Sequence, residues 1–319
     1  MKLTKLSNKT EIELNYKIPF SFEKTFYNPS HFKSGLELYE NGIYYMSINF
    51  KNTRLGLKFS CKNKKLFLNV FSKKTLNNLF INDLIEEINY RFTLNVDYSI
   101  FFDNYRNDKY LKDIINRNYG KHISSMYSLY ENLIISTFLQ NATIKRTIDM
   151  TYNMLSNYGK KIKFDDKILF SLWEPKELNA TDEELRKLKV GYRSKNILRI
   201  TKHFVDNDID EIALRKLTNS DLEKELLKIY GVGKQTVFYL MLSQFHRTNF
   251  LKHIPLWERK IISKYIFNEE LCSEKQIIDW LKTNYDDWYG FVLSLIVEDI
   301  FFKHEQKPFP WLKKILRED

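Results

Sequence analysis

The 319-residue chain carries 51 Lys+Arg against 40 Asp+Glu, a formal net charge of +11. The length allows a sizeable core in two or three subdomains, and the charge favours a polyanionic partner such as nucleic acid, although an AT-rich codon bias accounts for part of the lysine. The two cysteines, Cys61 and Cys272, exclude a four-cysteine iron–sulfur or zinc site and read as buried thiols in a reducing compartment. The longest apolar run, Tyr289 to Val297, is too short to span a bilayer, and the charged N-terminus lacks an apolar h-region, so a soluble, cytoplasmic protein is expected.

Residues 1–102 read as an antiparallel-sheet domain. Stretches within Ile12 to Ile18, Ile43 to Phe50, Leu55 to Cys61 and Lys65 to Val70 alternate apolar and polar residues. That is the period of strands with one covered face. Asn52-Thr53 and Lys62-Asn63 supply turns. Leu79 to Asn95 is amphipathic and is predicted as a helix covering the sheet. From about Asp97 the pattern turns helical and stays helical, which gives 103–319 as an all-α domain and the chain an α+β class. Asp103 to Arg117 reads as one helix. Ser128 to Leu139 is apolar on two faces and predicts a central buried helix. After Gln140-Asn141-Ala142-Thr143, a helix from Ile144 to Tyr158 follows. Thr181-Asp182-Glu183-Glu184 is a capping box whose short helix stops at Gly191. Further helices run from Tyr192 to about Val205, from Pro255 to Ile266, over Gln276 to Lys282 and from Trp288 to Phe302.

Between these lies the most informative stretch, a helix-hairpin-helix over 220–245. Ser220 is a candidate N-cap, with Glu223 completing a capping box. Leu222, Leu226, Leu227 and Ile229 give the first helix an apolar stripe. Gly231 and Gly233 permit backbone angles closed to other residues and let another backbone approach. The second helix begins near Gly233, so its free N–H groups, with Lys234 beside them, form an anion site suited to a phosphate. A bare Gly-x-Gly would be an ordinary tight turn. The capped helix before it, and Ile229-Tyr230-Gly231-Val232-Gly233-Lys234 running on into Thr236-Val237, favour a DNA-backbone clamp.

Several separated segments, in order, resemble one family. Lys109-Tyr110-Leu111 and Tyr119-Gly120 look like its linker. Tyr130-Glu131-Asn132-Leu133-Ile134 and Phe138-Leu139-Gln140-Asn141 look like the helix carrying its DNA-intercalating tip. Leu185-Arg186-Lys187-Leu188-Lys189-Val190-Gly191-Tyr192-Arg193-Ser194-Lys195 is similar to a third segment, with Lys189 where glycine is common. With the hairpin, these resemble the helix-hairpin-helix DNA glycosylases (HhH-GPD superfamily), the 8-oxoguanine and 3-methyladenine branch. The resemblance implies that a damaged base is flipped out of double-stranded DNA into a pocket. Asn141 matches the wedge that fills the gap. Arg193 is a candidate for a phosphate or the opposite base, or else a packing arginine. Gly231, Gly233, Lys234 and Thr236 complete the DNA-binding set.

The family's chemistry is altered in both its slots. Bifunctional members carry a lysine two residues after the second hairpin glycine, which forms a Schiff base with the sugar. Here that position is Gln235, and Lys234 lies roughly 100° away on the helix. The aspartate that stabilises positive charge on the sugar maps to His253, Ile254 or Pro255, depending on the register. Glu258 is the nearest carboxylate downstream. Tyr289, Phe291 and Leu293 lie on the helix that lines the family's base pocket. Leu293 stands where 8-oxoguanine enzymes carry a base-reading glutamine, and the two aromatics read as stacking or core residues. The expected function is a monomeric, monofunctional DNA N-glycosylase of base-excision repair. The alternatives are a catalytically inactive lesion- or structure-binding protein and a general DNA-binding scaffold. No metal is expected beyond an alkali ion held by hairpin carbonyls, which the resemblance implies and the residues do not show.

Overall fold

Alternation in the first 72 residues builds a five-stranded antiparallel sheet. The computed structural model describes residues 3–207 and 209–316. The strands are β1 (Leu3–Lys5), β2 (Asn8–Leu14), β3 (Glu37–Glu40), β4 (Ile43–Phe50), β5 (Thr53–Lys62), β6 (Lys65–Ser72), β7 (Lys160–Phe164) and β8 (Lys167–Ser171). The large sheet has the order β2-β6-β5-β4-β3. Its three two-residue turns place Asn41-Gly42, Lys51-Asn52 and Asn63-Lys64 at positive φ, as two-residue hairpins of this handedness require. Leu57, Phe59, Leu66 and Leu68 face one side and are fully buried. They meet Leu84, Ile88 and Phe92, on and just after helix α2, so the predicted covering helix is present.

The other face is covered by a second sheet of order β1-β7-β8, in which β1 runs parallel to β7. This corrects the expectation that everything after Asp97 is helical. Residues 160–171 alternate too, with Ile162 and Phe164 buried, and turn at Asp165 with φ +50. Phe164 lies against Gly56, where an added Cβ would fall 2.3 Å from its ring.

The helices are α1 (Phe22–Phe26), α2 (Asn78–Arg91), α3 (Ser99–Tyr105), α4 (Lys112–Arg117), α5 (Leu129–Leu139), α6 (Ile144–Asn157), α7 (Asp182–Lys187), α8 (Arg193–Asn207), α9 (Glu211–Leu214), α10 (Asn219–Lys228), α11 (Lys234–Ser243), α12 (Leu256–Ile262), α13 (Glu274–Asn284), α14 (Tyr289–Gln306) and α15 (Pro310–Leu316). The single helix predicted over 103–117 is two. Asp108 accepts hydrogen bonds from the backbone of Tyr110 and Leu111, both at 2.8 Å, and a side chain that bonds its own backbone competes with the helix.

The helical part has two cores, and α11 lies between them. Val237, Leu240 and Met241 join α5, α6, α8 and α10. Phe238 and Leu242 join α3, α4 and the helices from α12 onward. A helix apolar on all sides is buried on all sides, which fixes the hairpin that precedes it. The sheet layer is tied to this body through charge. Glu87 on α2 bonds Arg91 at 2.7 Å and both Nη atoms of Arg215 at 2.6 and 3.0 Å, and Arg215 also bonds Glu211. Among the described residues no helix is long and apolar enough to cross a membrane, and no group of three or more His, Cys, Asp or Glu is placed to hold a metal.

Candidate DNA interface and active site

The hairpin forms as predicted, with one correction. Thr218, not Ser220, caps α10, its side chain accepting the N–H of Asp221 at 3.2 Å. The helix starts two residues early, so Ser220 falls inside the first turn. Gly231 has φ +80, and Gly233 caps α11 with no side-chain bond. The Val232 N–H donates to the Ile229 carbonyl at 3.1 Å, and in α11 the Val237 N–H donates to that of Gly233 at 2.9 Å. The N–H groups of Lys234, Gln235 and Thr236 fall in the first turn, which has no intrahelical acceptors. Gly231, Gly233, Lys234 and Gln235 are exposed, and Thr236 is half-buried. A Cβ added at either glycine would meet nothing within 4 Å. Gly231 is required by its φ. Gly233 has ordinary angles, so approach of another backbone from outside is what its bareness accommodates. Gly233→Ala is expected to leave the thermal midpoint within about 2–4 °C and to weaken duplex binding severalfold in a salt titration. An alkali ion at this turn would rest on main-chain carbonyls alone, since no acidic side chain lies between Leu226 and Gly233.

Asn141 sits at the tip between α5 and α6, exposed, with φ +48. Its amide donates to the Tyr192 hydroxyl at 3.4 Å. Leu139 and Ile144 flank it with 41% and 42% of their surface open to solvent, an apolar tip of the kind that enters a base stack. Arg193 does not reach outward. It is 1% exposed and donates to the carbonyl of Gln140. It therefore braces the tip from behind, as the packing alternative has it. Arg146 and Lys189 line an open recess of about 250 Å³ beside α6. Lys189 has φ +65, which explains why glycine suits this position. Lys189→Gly is expected to stabilise the protein by about 1 kcal/mol, measured by urea denaturation.

In the catalytic slots, both basic side chains are paired with carboxylates. His253 Nδ1 lies 2.7 Å from Glu274 Oε1, which also accepts the N–H of Ile254 at 2.7 Å. Lys252 pairs with Glu223. Ile254 is buried and belongs to the second core, and Pro255 caps α12. Glu258, in the first turn of α12, is 4% exposed. Its Oε1 accepts the Tyr239 O–H at 2.8 Å, while Oε2 is buried with no partner. Burial raises its carboxyl to about 7, against the lowering effect of the Tyr239 bond and with a further push from Glu298. Burial, and after it the Glu258 charge, push the Tyr239 hydroxyl well above its usual range, with Gln235 and Trp257 pulling the other way. Tyr239, on the second helix of the hairpin, therefore links that helix to buried Glu258. Tyr239 follows Gln235 by four residues and Glu258 follows Ile254 by four. On α11 that step puts Tyr239 one turn deeper than Gln235 on the same face, whereas Ile254 precedes the Pro255 cap, so Glu258 shares no helical face with it.

Phe291 and Leu293 are corrected from pocket to core. Leu293 is fully enclosed, and the Phe291 ring packs on Phe101 and Tyr98 at 5.1 and 5.6 Å. Tyr289 is half-buried, and its hydroxyl donates to the carbonyl of Asn249. Three groups were missed from sequence: Tyr239, Glu274 and Glu298. The four-residue step from Gln235 was a usable signal for the first. Nothing local marks the other two, which arrive from separate helices.

No protein-family model matches the chain. In sequence it is similar to a DNA-3-methyladenine glycosylase of Bacillus subtilis (strain 168), 23% identical over 163 residues. The match covers 50% of this chain and 54% of that protein, so the chain spans about half the length of the curated relative it matches. In structure it superposes on a 3-methyladenine DNA-glycosylase from Archaeoglobus fulgidus with a TM-score of 0.74 and 16% identity, covering 92% of this chain and 99% of the other. The chain has the fold of the helix-hairpin-helix DNA glycosylases. The glycosylase fold is matched again in a Clostridium acetobutylicum 8-oxoguanine glycosylase/lyase in complex with dsDNA, with a TM-score of 0.67, 17% identity and coverage of 94% and 99%. That likeness extends to both parts of the molecule, since these coverages leave no large piece of either chain unmatched.

Proposed function

We propose that the protein is a monofunctional DNA N-glycosylase of base-excision repair, in which Glu258 replaces the missing aspartate. The observation that carries this is the buried Glu258 carboxyl with one unpartnered oxygen, linked through Tyr239 to the hairpin. The hairpin N–H groups hold the phosphate backbone, Asn141 fills the space left by the flipped nucleotide, and the base enters toward Glu258. A carboxyl near 7 is matched to proton transfer at neutral pH. His253 and Lys252, each paired with a carboxylate, present little net charge to a developing sugar cation. Base release from duplexes carrying 3-methyladenine, hypoxanthine, uracil or 8-oxoguanine tests the reading. No abasic product from any of them would sink it.

Gln235 carries an amide, which is no nucleophile toward a sugar aldehyde. Borohydride treatment during turnover is therefore expected to trap no covalent protein–DNA adduct, and a trapped adduct would overturn the monofunctional assignment. One observation favours the binding-only alternative: Ile254, apolar and buried, fills the middle register of the aspartate slot. It predicts salt-sensitive binding without base release and no change in any activity on replacing Glu258.

A further inference from the structure

We propose that a basic groove between the sheet layer and the end of α6 holds the backbone of one duplex arm, about six base pairs from the tip. This rests on the DNA-binding reading of the hairpin and tip, and adds a second anchoring surface to it.

The groove has a volume of about 750 Å³. Arg54 of β5, Lys73 and Lys74 between β6 and α2, and Lys160 at the start of β7 line it, together with Asn157 at the end of α6. No Asp or Glu is among its lining residues. One acid stands behind it: Glu177 accepts Arg54 Nη2 at 2.6 Å and pairs with Lys160. Arg54 Nε is enclosed and has no acceptor. Lys73 and Lys74 are exposed and, among the described residues, have no ion-pair partner. The groove therefore keeps a positive balance with Glu177 counted. The two lysines are presented by a fixed turn. Asn8 Nδ2 donates to the Lys73 carbonyl at 2.9 Å and Ser72 Oγ to the Lys74 carbonyl at 2.6 Å, so little backbone freedom is lost when an anion docks.

Helix α6 connects the groove to the tip. Arg146, Asp149, Asn153 and Asn157 recur every three or four residues, which places them on one face. The first three line the recess beside Lys189, and Asn157 lines the groove. Recess and groove therefore adjoin across one helical turn, about 6 Å of axis. In the recess Arg146 and Lys189 outnumber Asp149, the one acid lining it. From Ile144 to Asn157 the helix runs about 20 Å. A duplex advances about 3.4 Å per base pair, which sets the spacing of about six. A free phosphate needs donors that converge on one point. Here cations and amides are strung along one helix face, as a polymer of phosphates requires. Such contacts fix position without reading sequence, so the groove lengthens the footprint and leaves base choice to the site near Glu258.

The test uses the full chain and a duplex with a central tetrahydrofuran abasic-site analogue. Each arm has about 12 base pairs, and in two further duplexes one arm or the other is cut to about 4, short of the groove. Dissociation constants are measured between about 50 and 200 mM salt. The wild type is expected to lose about tenfold in affinity when one particular arm is cut, and little when the other is. Lys73→Gln/Lys74→Gln is expected to bind the uncut duplex about tenfold more weakly, with its salt slope reduced by about 2, and to match the wild type once that arm is gone. Wild-type binding that ignores both cuts overturns the proposal. So does a double variant that binds the uncut duplex as tightly as the wild type, or one weakened on every duplex alike. Should the double variant misfold, Lys73→Gln and Lys74→Gln singly carry the same comparison, each with a slope change of about 1. Base release is not read, so failure of the glycosylase reading leaves the test intact. No binding to any of the duplexes overturns the DNA-binding reading together with the groove.

Discussion

Glu258→Gln is expected to lower base release about 10²- to 10⁴-fold, the usual span for removing a general acid, while duplex affinity stays within about threefold. The amide keeps the shape and can still accept the Tyr239 O–H, so the loss would report the proton and not the packing. The same substitution should stabilise the protein at pH 8. Burial lifts this carboxyl from an ordinary 4.5 to about 7, so the folded state holds a proton that the unfolded chain gives up. Stability therefore falls as pH rises from about 4.5 to about 7 and is level above that. At about 1.4 kcal/mol per unit, the penalty at pH 8 is at most about 3 kcal/mol, and Gln removes it. Urea denaturation at pH 5 and pH 8 reads the difference. A variant that is inactive and also less stable at pH 8 would mean that Glu258 is a structural residue.

Arg215→Ala is expected to cost about 3 kcal/mol or more, the usual result of removing one partner from a buried ion network. Arg215 ties α2 to the helical body, beside the bond from the Tyr90 hydroxyl to the Gln244 carbonyl at 3.1 Å. Its guanidinium meets Glu87 twice and Glu211 once, and it stacks on the Tyr90 ring at 3.8 Å from the centroid. Without it, Glu87 keeps only Arg91. Burial alone would raise Glu87, but the bonds from Arg215 and Arg91 outweigh it and hold the carboxyl below its usual range. That stability is present above the ordinary glutamate value near 4.5 and is lost as pH falls through the lower folded value. The variant should therefore unfold in acid at a higher pH than the parent, and Arg215→Lys should recover part of the loss. An unchanged acid midpoint would show that Glu87 is held by Arg91 alone.

Much of this was readable along the chain. Period-two alternation located β4, β5 and β6, and their turns, because one face of each is buried. The Gly231-Val232-Gly233 turn located the hairpin because few other residues tolerate its geometry. The hairpin β7–β8 was hidden because five-residue strands between long helices leave little periodicity, although Asp165-Asp166 marked its turn. The slot residues were legible as departures from the resemblance: Gln235, His253 and Glu258 could be named from their positions in the chain. Their pairing was not legible. That Glu274 meets His253, or that the Glu298 charge reaches Glu258, depends on α13 and α14 returning to α12 across 16 or more residues of chain. Leu293 and Phe291 misled because an apolar residue on a site-lining helix looks the same whether it faces a cleft or the interior.

The parallel pairing of β1 with β7 also sets an order of events during synthesis. Leu3 to Lys5 can find Lys161 to Lys163 only after more than 150 intervening residues have left the ribosome. Until then the large sheet has its α2 side covered and its Gly56 side bare, with Tyr45 and Phe71 waiting for Phe164. Contacts so distant in sequence close late. A nascent chain halted before residue 160 should therefore display a sticky sheet face and recruit chaperones, and one halted after 171 should not.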